Sequence, residues 1–178
     1  GDDAGAGLEA VLVAVEHHRA NRDGLVHVAV LREVADCAAV KAARAAAQAE
    51  GRVPISLDAG DEFMGSLFYT LHRGATEAAI QRLWGCEAMA LGNHEFDNGP
   101  ENLARYIREL GLPVLAANLD TTEEPALNGL VRSSVTFQRG GVRVVVIGLI
   151  TEDTPQASSP GPRLRFRDAE EVAERAAA

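Results

Sequence analysis

The sequence predicts an α/β fold, in which strands alternate with helices before the chain turns back in a hairpin. Two short apolar runs carry the first half of that reading. Val53-Pro54-Ile55-Ser56-Leu57 ends in Asp58-Ala59-Gly60-Asp61, and Ala88-Met89-Ala90-Leu91 ends in Gly92-Asn93-His94-Glu95-Phe96-Asp97. Helical sequence lies between them, so they fit adjacent parallel strands joined by a crossover, with their polar tips side by side. The third observation is Arg139-Gly140-Gly141 between two β-rich runs, a hairpin signal.

The elements follow in order. Gly1 to Gly7 is glycine- and aspartate-rich and reads as disordered. Leu8 to Val15 fits either a first buried strand or the start of an amphipathic helix, and periodicity does not separate the two. Arg22-Asp23-Gly24 is a turn signal, and Leu25 to Val34 reads as another strand or a helix start. Ala38 to Glu50 is a helix on propensity, closed by Gly51. Val53 to Leu57 is the next strand. Phe63, Met64, Leu67, Phe68 and Tyr69 then form a cluster that reads as core packing rather than a cofactor site.

Gly74 to Trp84 is a second helix, with Ala78, Ala79, Ile80 and Leu83 on its inner side and Gly85 ending it. After the strand Ala88 to Leu91, a helix start is written as Asn98 or Gly99 in the cap, Pro100 at the first helical position and Glu101 in the first turn. That helix closes at Gly111. Leu112 to Ala116 is a strand running into Asn118, which reads as a turn former. Val131 to Phe137 and Val142 to Leu149 are the hairpin arms. Thr154 to Pro162 is Pro- and Ser-rich, Arg163 to Arg167 is a short extended piece, and a helix begins at Asp168.

Composition narrows the function. The 178 residues suffice for one domain with a real core. Twenty-six acidic against 17 basic residues give a net charge of −9, which repels nucleic-acid polymers. A small phosphate ester can still bind where metal ions reverse the local sign. Cys37 and Cys86 make no disulfide framework and no C-x-x-C pair. The longest apolar run, Val142 to Ile150, is broken by Arg143 and Gly148 and is too short to span a membrane. A first residue other than Met, with no signal peptide, reads as a processed or cloned start.

The two polar turns are the candidate site. Asp, Asn and His converging at strand ends supply hard-oxygen and imidazole ligands that suit Zn, Mn, Fe or Mg. An open α/β sheet binds its ligands at such ends. The plainer alternative is an Asx-rich helix-capping loop, but a cap needs one polar residue and this loop offers five. Glu16-x-His18, just after the first apolar run, is either a further ligand pair or a solvated helix face.

Together, Asp58-Ala59-Gly60-Asp61 and Leu91-Gly92-Asn93-His94-Glu95-Phe96-Asp97-Asn98-Gly99 resemble the 5′-nucleotidase branch of the calcineurin-like metallophosphoesterases, with a likeness running from about Val53 to about Gly161. The resemblance implies part of a β-sandwich flanked by helices and a phosphoesterase acting on nucleotide monoesters through a metal-bound hydroxide. It implies that Asp61 bridges two divalent metal ions and that Asn93 ligates the second. Glu16 and His18 would stand for the family's Asp-x-His pair. His94 would lie outside the metal shell and donate to the phosphoryl group, with Asp97 holding its other ring nitrogen. Asp58 and Glu95 would brace their turns. An extracellular, periplasmic or cell-surface location also follows from the resemblance.

Two departures stand against it. The Asp-x-His pair is absent or altered to Glu16-x-His18, and no histidine follows Asp97: the five are His17, His18, His27, His72 and His94. The family's Gly-His-x-His ligands and its C-terminal nucleotide-binding domain are therefore missing. Nothing in the sequence suggests that a second copy supplies His17, His27 or His72. Residues 1–178 read as a single partial catalytic domain that holds at most one metal and is inactive alone. The alternative is a degenerate, non-catalytic relative that keeps the fold for binding or scaffolding.

Overall fold

The structure is a computed structural model, and it describes residues 10–15, 26–63 and 67–177. In chain order the elements are β1 (Ala10–Val15), α1 (Val26–Ala49), β2 (Leu57–Asp58), α2 (Leu67–His72), α3 (Ala75–Trp84), β3 (Ala88–Ala90), a 3-10 turn (Asn93–Phe96) and α4 (Gly99–Leu110). They continue with β4 (Val114–Leu115), β5 (Leu119–Asp120), β6 (Val131–Arg132), β7 (Ser134–Arg139), β8 (Val142–Leu149), α5 (Thr154–Ala157), β9 (Arg165–Phe166) and α6 (Ala169–Ala177). The expectations for Gly1 to Gly7, for Glu16 and His18, for the Arg22-Asp23-Gly24 turn and for Met64 lie outside the described residues.

Two sheets form the frame. One is all-parallel in the order β2-β3-β4-β6; the other runs β1-β8-β7, with β1 parallel and β7 antiparallel to β8. Side-chain alternation sorts the two faces of the parallel sheet. Ala88 and Leu115 point into a cluster with Val146, flanked by Leu57, Val135, Phe137 and Val144, so this face packs on the second sheet. Met89 and Val114, one residue along, enter the larger core with Leu103, Tyr106, Ile107 and Leu110 of α4. The sheets approach tightly at Gly148, where a Cβ would lie 2.4 Å from that of Leu115, so only glycine fits the crossing.

The first run is thus a strand rather than a helix. From Val26 onward, the run expected over Leu25 to Val34 joins the following helix, giving one continuous α1 of 24 residues. Gly51 ends it in the left-handed conformation, with Arg52 N–H donating to Ala47 C=O at 2.9 Å. The strand expected over Val53 to Leu57 is shorter: only Leu57 and Asp58 are paired. Pro54 has no N–H to give a ladder, and Val53 is 54% exposed. Val131 to Phe137 divides, with β6 joining β4 and β7 turning into the second sheet. The hairpin itself stands as expected, with Gly140 and Gly141 both at positive φ, as a type I′ turn requires.

Two expected inner faces need correction. In α3 the buried side is Glu77, Ala78 and Gln81, while Leu83 is 62% exposed. Gln81 is drawn inward because it has a buried polar partner at the end of β2. In the aromatic cluster, Phe63 and Tyr69 stack at 4.7 Å and Phe63 meets Tyr106 edge-on, but Leu67 faces solvent with Leu71, one turn on. Among the described residues no helix is long and apolar enough to cross a membrane.

Candidate active site

The parallel register of β2 and β3 brings the two polar turns together at one edge of the sheet. Each is braced from behind. Asp58 Oδ1 accepts from Gly60 N–H at 2.8 Å, and its Oδ2 accepts from Gln81 Nε2 at 2.7 Å. The Tyr106 hydroxyl donates in turn to Gln81 Oε1. A buried relay from α4 through α3 therefore sets the first turn, and both oxygens of Asp58 are occupied in holding it.

Glu95 couples the two turns. It is fully buried, and its Oε2 accepts from Gly92 N–H at 2.7 Å and Asp61 N–H at 2.9 Å, while Oε1 accepts from Glu62 N–H at 2.7 Å. Burial pushes its carboxyl up to about 8 against these three donors, which favour the charge. Asp61 sits at φ +64, a conformation that costs a non-glycine residue about 1–3 kcal/mol and persists only where its surroundings enforce it. The Glu95 bonds on either side of it are that enforcement.

The turns also touch directly. Asp61 Oδ1 accepts from His94 N–H at 3.1 Å, and a Cβ on Gly92 would lie 2.2 Å from that same oxygen. Asn93, between them, is 2% exposed. His94 Nδ1 meets Asp97 Oδ2 at 2.8 Å across the 3-10 turn, with the two side chains 18% and 32% exposed. The ring is thus tied at one nitrogen to a carboxylate at the rim. Sequence reading did not single out Ser158, yet its Oγ donates to Asp97 Oδ1 at 2.7 Å. Only the Ser-rich character of the stretch after β8 pointed that way.

Two expectations for nearby amides change. Asn98 occupies the position before α4, but its side chain makes no cap; it donates to the Tyr69 hydroxyl and accepts from Arg73. Asn118 is no simple turn former. It is fully buried, donates to Ile150 C=O at 2.7 Å and Arg167 C=O at 2.9 Å, and accepts from Ile150 N–H at 3.0 Å. It pins the end of β8 to β9. Cys86 offers no nucleophile, since burial pushes its thiol up to about 12.

Among the described residues, no three His, Cys, Asp or Glu side chains are grouped to hold a metal ion. Asp61 and Asn93 fit such an ion in kind: a carboxylate and an amide, both hard-oxygen donors, on turns fixed against each other. They would supply one edge of a shell. Glu16 and His18 fall outside the described residues.

No protein-family model matches the chain. A probable 5′-nucleotidase of Treponema pallidum (strain Nichols) is 41% identical over 130 residues, covering 72% of this chain and 22% of that protein. The crystal structure of a 5′-nucleotidase precursor from Thermus thermophilus aligns with a TM-score of 0.72 and 40% identity, over 79% of this chain and 27% of that one. The NAD nucleotidase of Haemophilus influenzae aligns with a TM-score of 0.72 and 33% identity, over 79% of this chain and 28% of its own. The chain spans about a fifth of the length of the curated relatives it matches.

Proposed function

Because the chain belongs to the 5′-nucleotidase branch of the calcineurin-like metallophosphoesterases, we propose that it forms part of one catalytic domain of a metal-dependent phosphomonoesterase acting on nucleotides. The observation that carries the proposal is the meeting of Asp61 and Asn93 with a carboxylate-bound imidazole at a single sheet edge.

Each residue then has a task. Asp61 and Asn93 would hold a divalent cation such as Zn, Mn or Mg, and Glu16 and His18 would stand where the family's Asp-x-His pair ligates the first of two ions; this chain alone would take at most one. A bound divalent ion supplies Lewis-acid polarisation of a phosphoryl oxygen and makes a water more acidic. Asp97 accepts a hydrogen bond from His94 Nδ1–H, and in the doubly protonated ring Nε2–H would donate to a phosphoryl or leaving-group oxygen. Glu95 and Asp58 keep both turns rigid, so little reorganisation remains when charge develops on the substrate. The net charge of −9 favours a small ester over a nucleic-acid polymer. A location outside the cytoplasm fits the name of one relative, the snake venom 5′-nucleotidase of Gloydius brevicauda.

The test is phosphate release from AMP by a longer form that contains these residues, loaded with Mn or Zn. His94→Asn is expected to lower turnover roughly a hundredfold, the equivalent of about 3 kcal/mol for one lost charge-stabilising donor, with metal content unchanged. Metal binding without any phosphate release by the parent would point instead to a non-catalytic relative.

A further inference from the structure

We propose that Ser158 is a positioning residue for the His94–Asp97 pair: its hydroxyl fixes the Asp97 carboxylate so that one oxygen faces the imidazole. The inference rests on the reading of that pair as the proton donor of the proposed hydrolysis.

The geometry is a three-membered chain. Ser158 Oγ donates to Asp97 Oδ1 at 2.7 Å, and Asp97 Oδ2 receives His94 Nδ1 at 2.8 Å. The two carboxylate oxygens therefore have different partners. An aspartate carboxyl turns about a broad two-fold torsion, and this one is about one-third exposed, so nothing intrinsic keeps either oxygen on the ring. A donor locked onto Oδ1 does so, because turning the carboxylate would break both bonds at once.

Ser158 is itself well held. Its N–H donates to Thr154 C=O at 2.9 Å, and its backbone is extended where α5 ends. Thr154 is fully buried, with its hydroxyl on Thr151 C=O at 2.6 Å, and Pro160 is buried two residues on. The hydroxyl is thus presented from a fixed segment after β8 to a dyad that follows β3. With Oδ1 held by the serine, Oδ2 is the oxygen that faces the imidazole. A mere staple between loops would need no such division of the two oxygens.

The experiment reads the His94 ring directly and needs no turnover, so its outcome is independent of whether the proposed hydrolysis is right. The chain is labelled with nitrogen-15 at histidine, and long-range proton–nitrogen spectra are recorded; His94→Asn identifies the His94 signals by their loss. The parent is expected to show a protonated, hydrogen-bonded Nδ1. Ser158→Ala should lose that bonded Nδ1–H resonance and shift the neutral ring towards the Nε2–H form, with the backbone amide spectrum of the fold retained. Ser158→Thr, which keeps the hydroxyl, should preserve the parent signature. In an Asp97→Asn background, Ser158→Ala should change the ring signals no further. A parent-like His94 ring in Ser158→Ala, or equal loss in Ser158→Thr, would overturn the proposal.

Discussion

Gly60→Ala probes the contact that brings the two halves of the site together. Gly60 lies at φ +88, and a Cβ there would sit 2.4 Å from Gly92 N, 2.6 Å from Ala90 O and 3.0 Å from Leu91 C. All three are main-chain atoms at the end of β3, so none can swing aside. Gly51 provides the matched control: its φ is +76, and a Cβ meets nothing within 4 Å. Both substitutions place a side chain on left-handed backbone, at about 1–2 kcal/mol. Part of that is offset by about 0.4–1 kcal/mol from the stiffer unfolded chain. Gly51→Ala should therefore cost about 1 kcal/mol. Gly60→Ala adds overlap with a packed main chain, typically about 1–3 kcal/mol, for a total of about 2–4 kcal/mol. Urea unfolding followed by circular dichroism measures both, with equal slopes required for the comparison. The backbone amides of Asp61, Gly92 and His94 should also shift in Gly60→Ala and stay in place in Gly51→Ala. If Gly60→Ala were no more costly than Gly51→Ala, the two turns would not be in contact and the site would have to be redrawn.

Calorimetric titration with Mn or Zn should show that Asp61→Asn and Asn93→Ala weaken metal binding more than His94→Ala; equal affinities would mean that the ligand roles are misassigned. Residues 1–178 alone should bind at most one metal weakly and release no phosphate from AMP, whereas two tight ions and turnover lost in Asp61→Ala would refute that count. Glu95 carries a pH signature. Its folded value of about 8 lies above the ordinary 4.5, so its contribution to stability is fully present below about 4.5 and is lost as pH rises through about 8, by at most about 1.4 kcal/mol per pH unit. Glu95→Gln cannot titrate, so its unfolding free energy should fall less than the parent's over that window; parallel curves would contradict the raised value. Asn118→Ala orphans three backbone partners, two of them buried, and should cost about 2–4 kcal/mol in urea unfolding, and a cost below about 1 kcal/mol would show those bonds to be replaceable by water.

Much of the frame was legible because it rests on local rules. Gly51, Gly85 and Gly111 each stop a helix in the left-handed conformation, as their positions after apolar-periodic runs indicated. Gly140 and Gly141 form the hairpin turn, and Ala88 to Ala90 is a strand buried on both faces. In the candidate site, the braces expected at Asp58 and Glu95 and the His94–Asp97 pair all lie within a few residues of the glycines that shape their turns. Their positions are short-range facts, although the Glu95 bonds to Asp61 and Glu62 reach 34 and 33 residues along the chain. The spacing of polar residues along a turn carries them, and burial then strengthens them.

The rest depended on partners distant in the chain. Nothing near Gln81 in the sequence says that it turns inward, because the reason is Asp58, which belongs to another strand. Ser158 reads as one serine in a polar loop until β8 and α5 deliver it to Asp97. Pro54 and the exposed Val53 show the converse, where a run that looks like a strand finds no ladder to join. By itself the sequence determined the α/β alternation and the turn chemistry, since each is set by periodicity or backbone conformation, and it singled out the candidate site residues. Only the tertiary structure decided which polar groups brace those residues. A buried hydrogen bond between remote segments forms when packing brings donor and acceptor together, and that meeting leaves no local pattern to read.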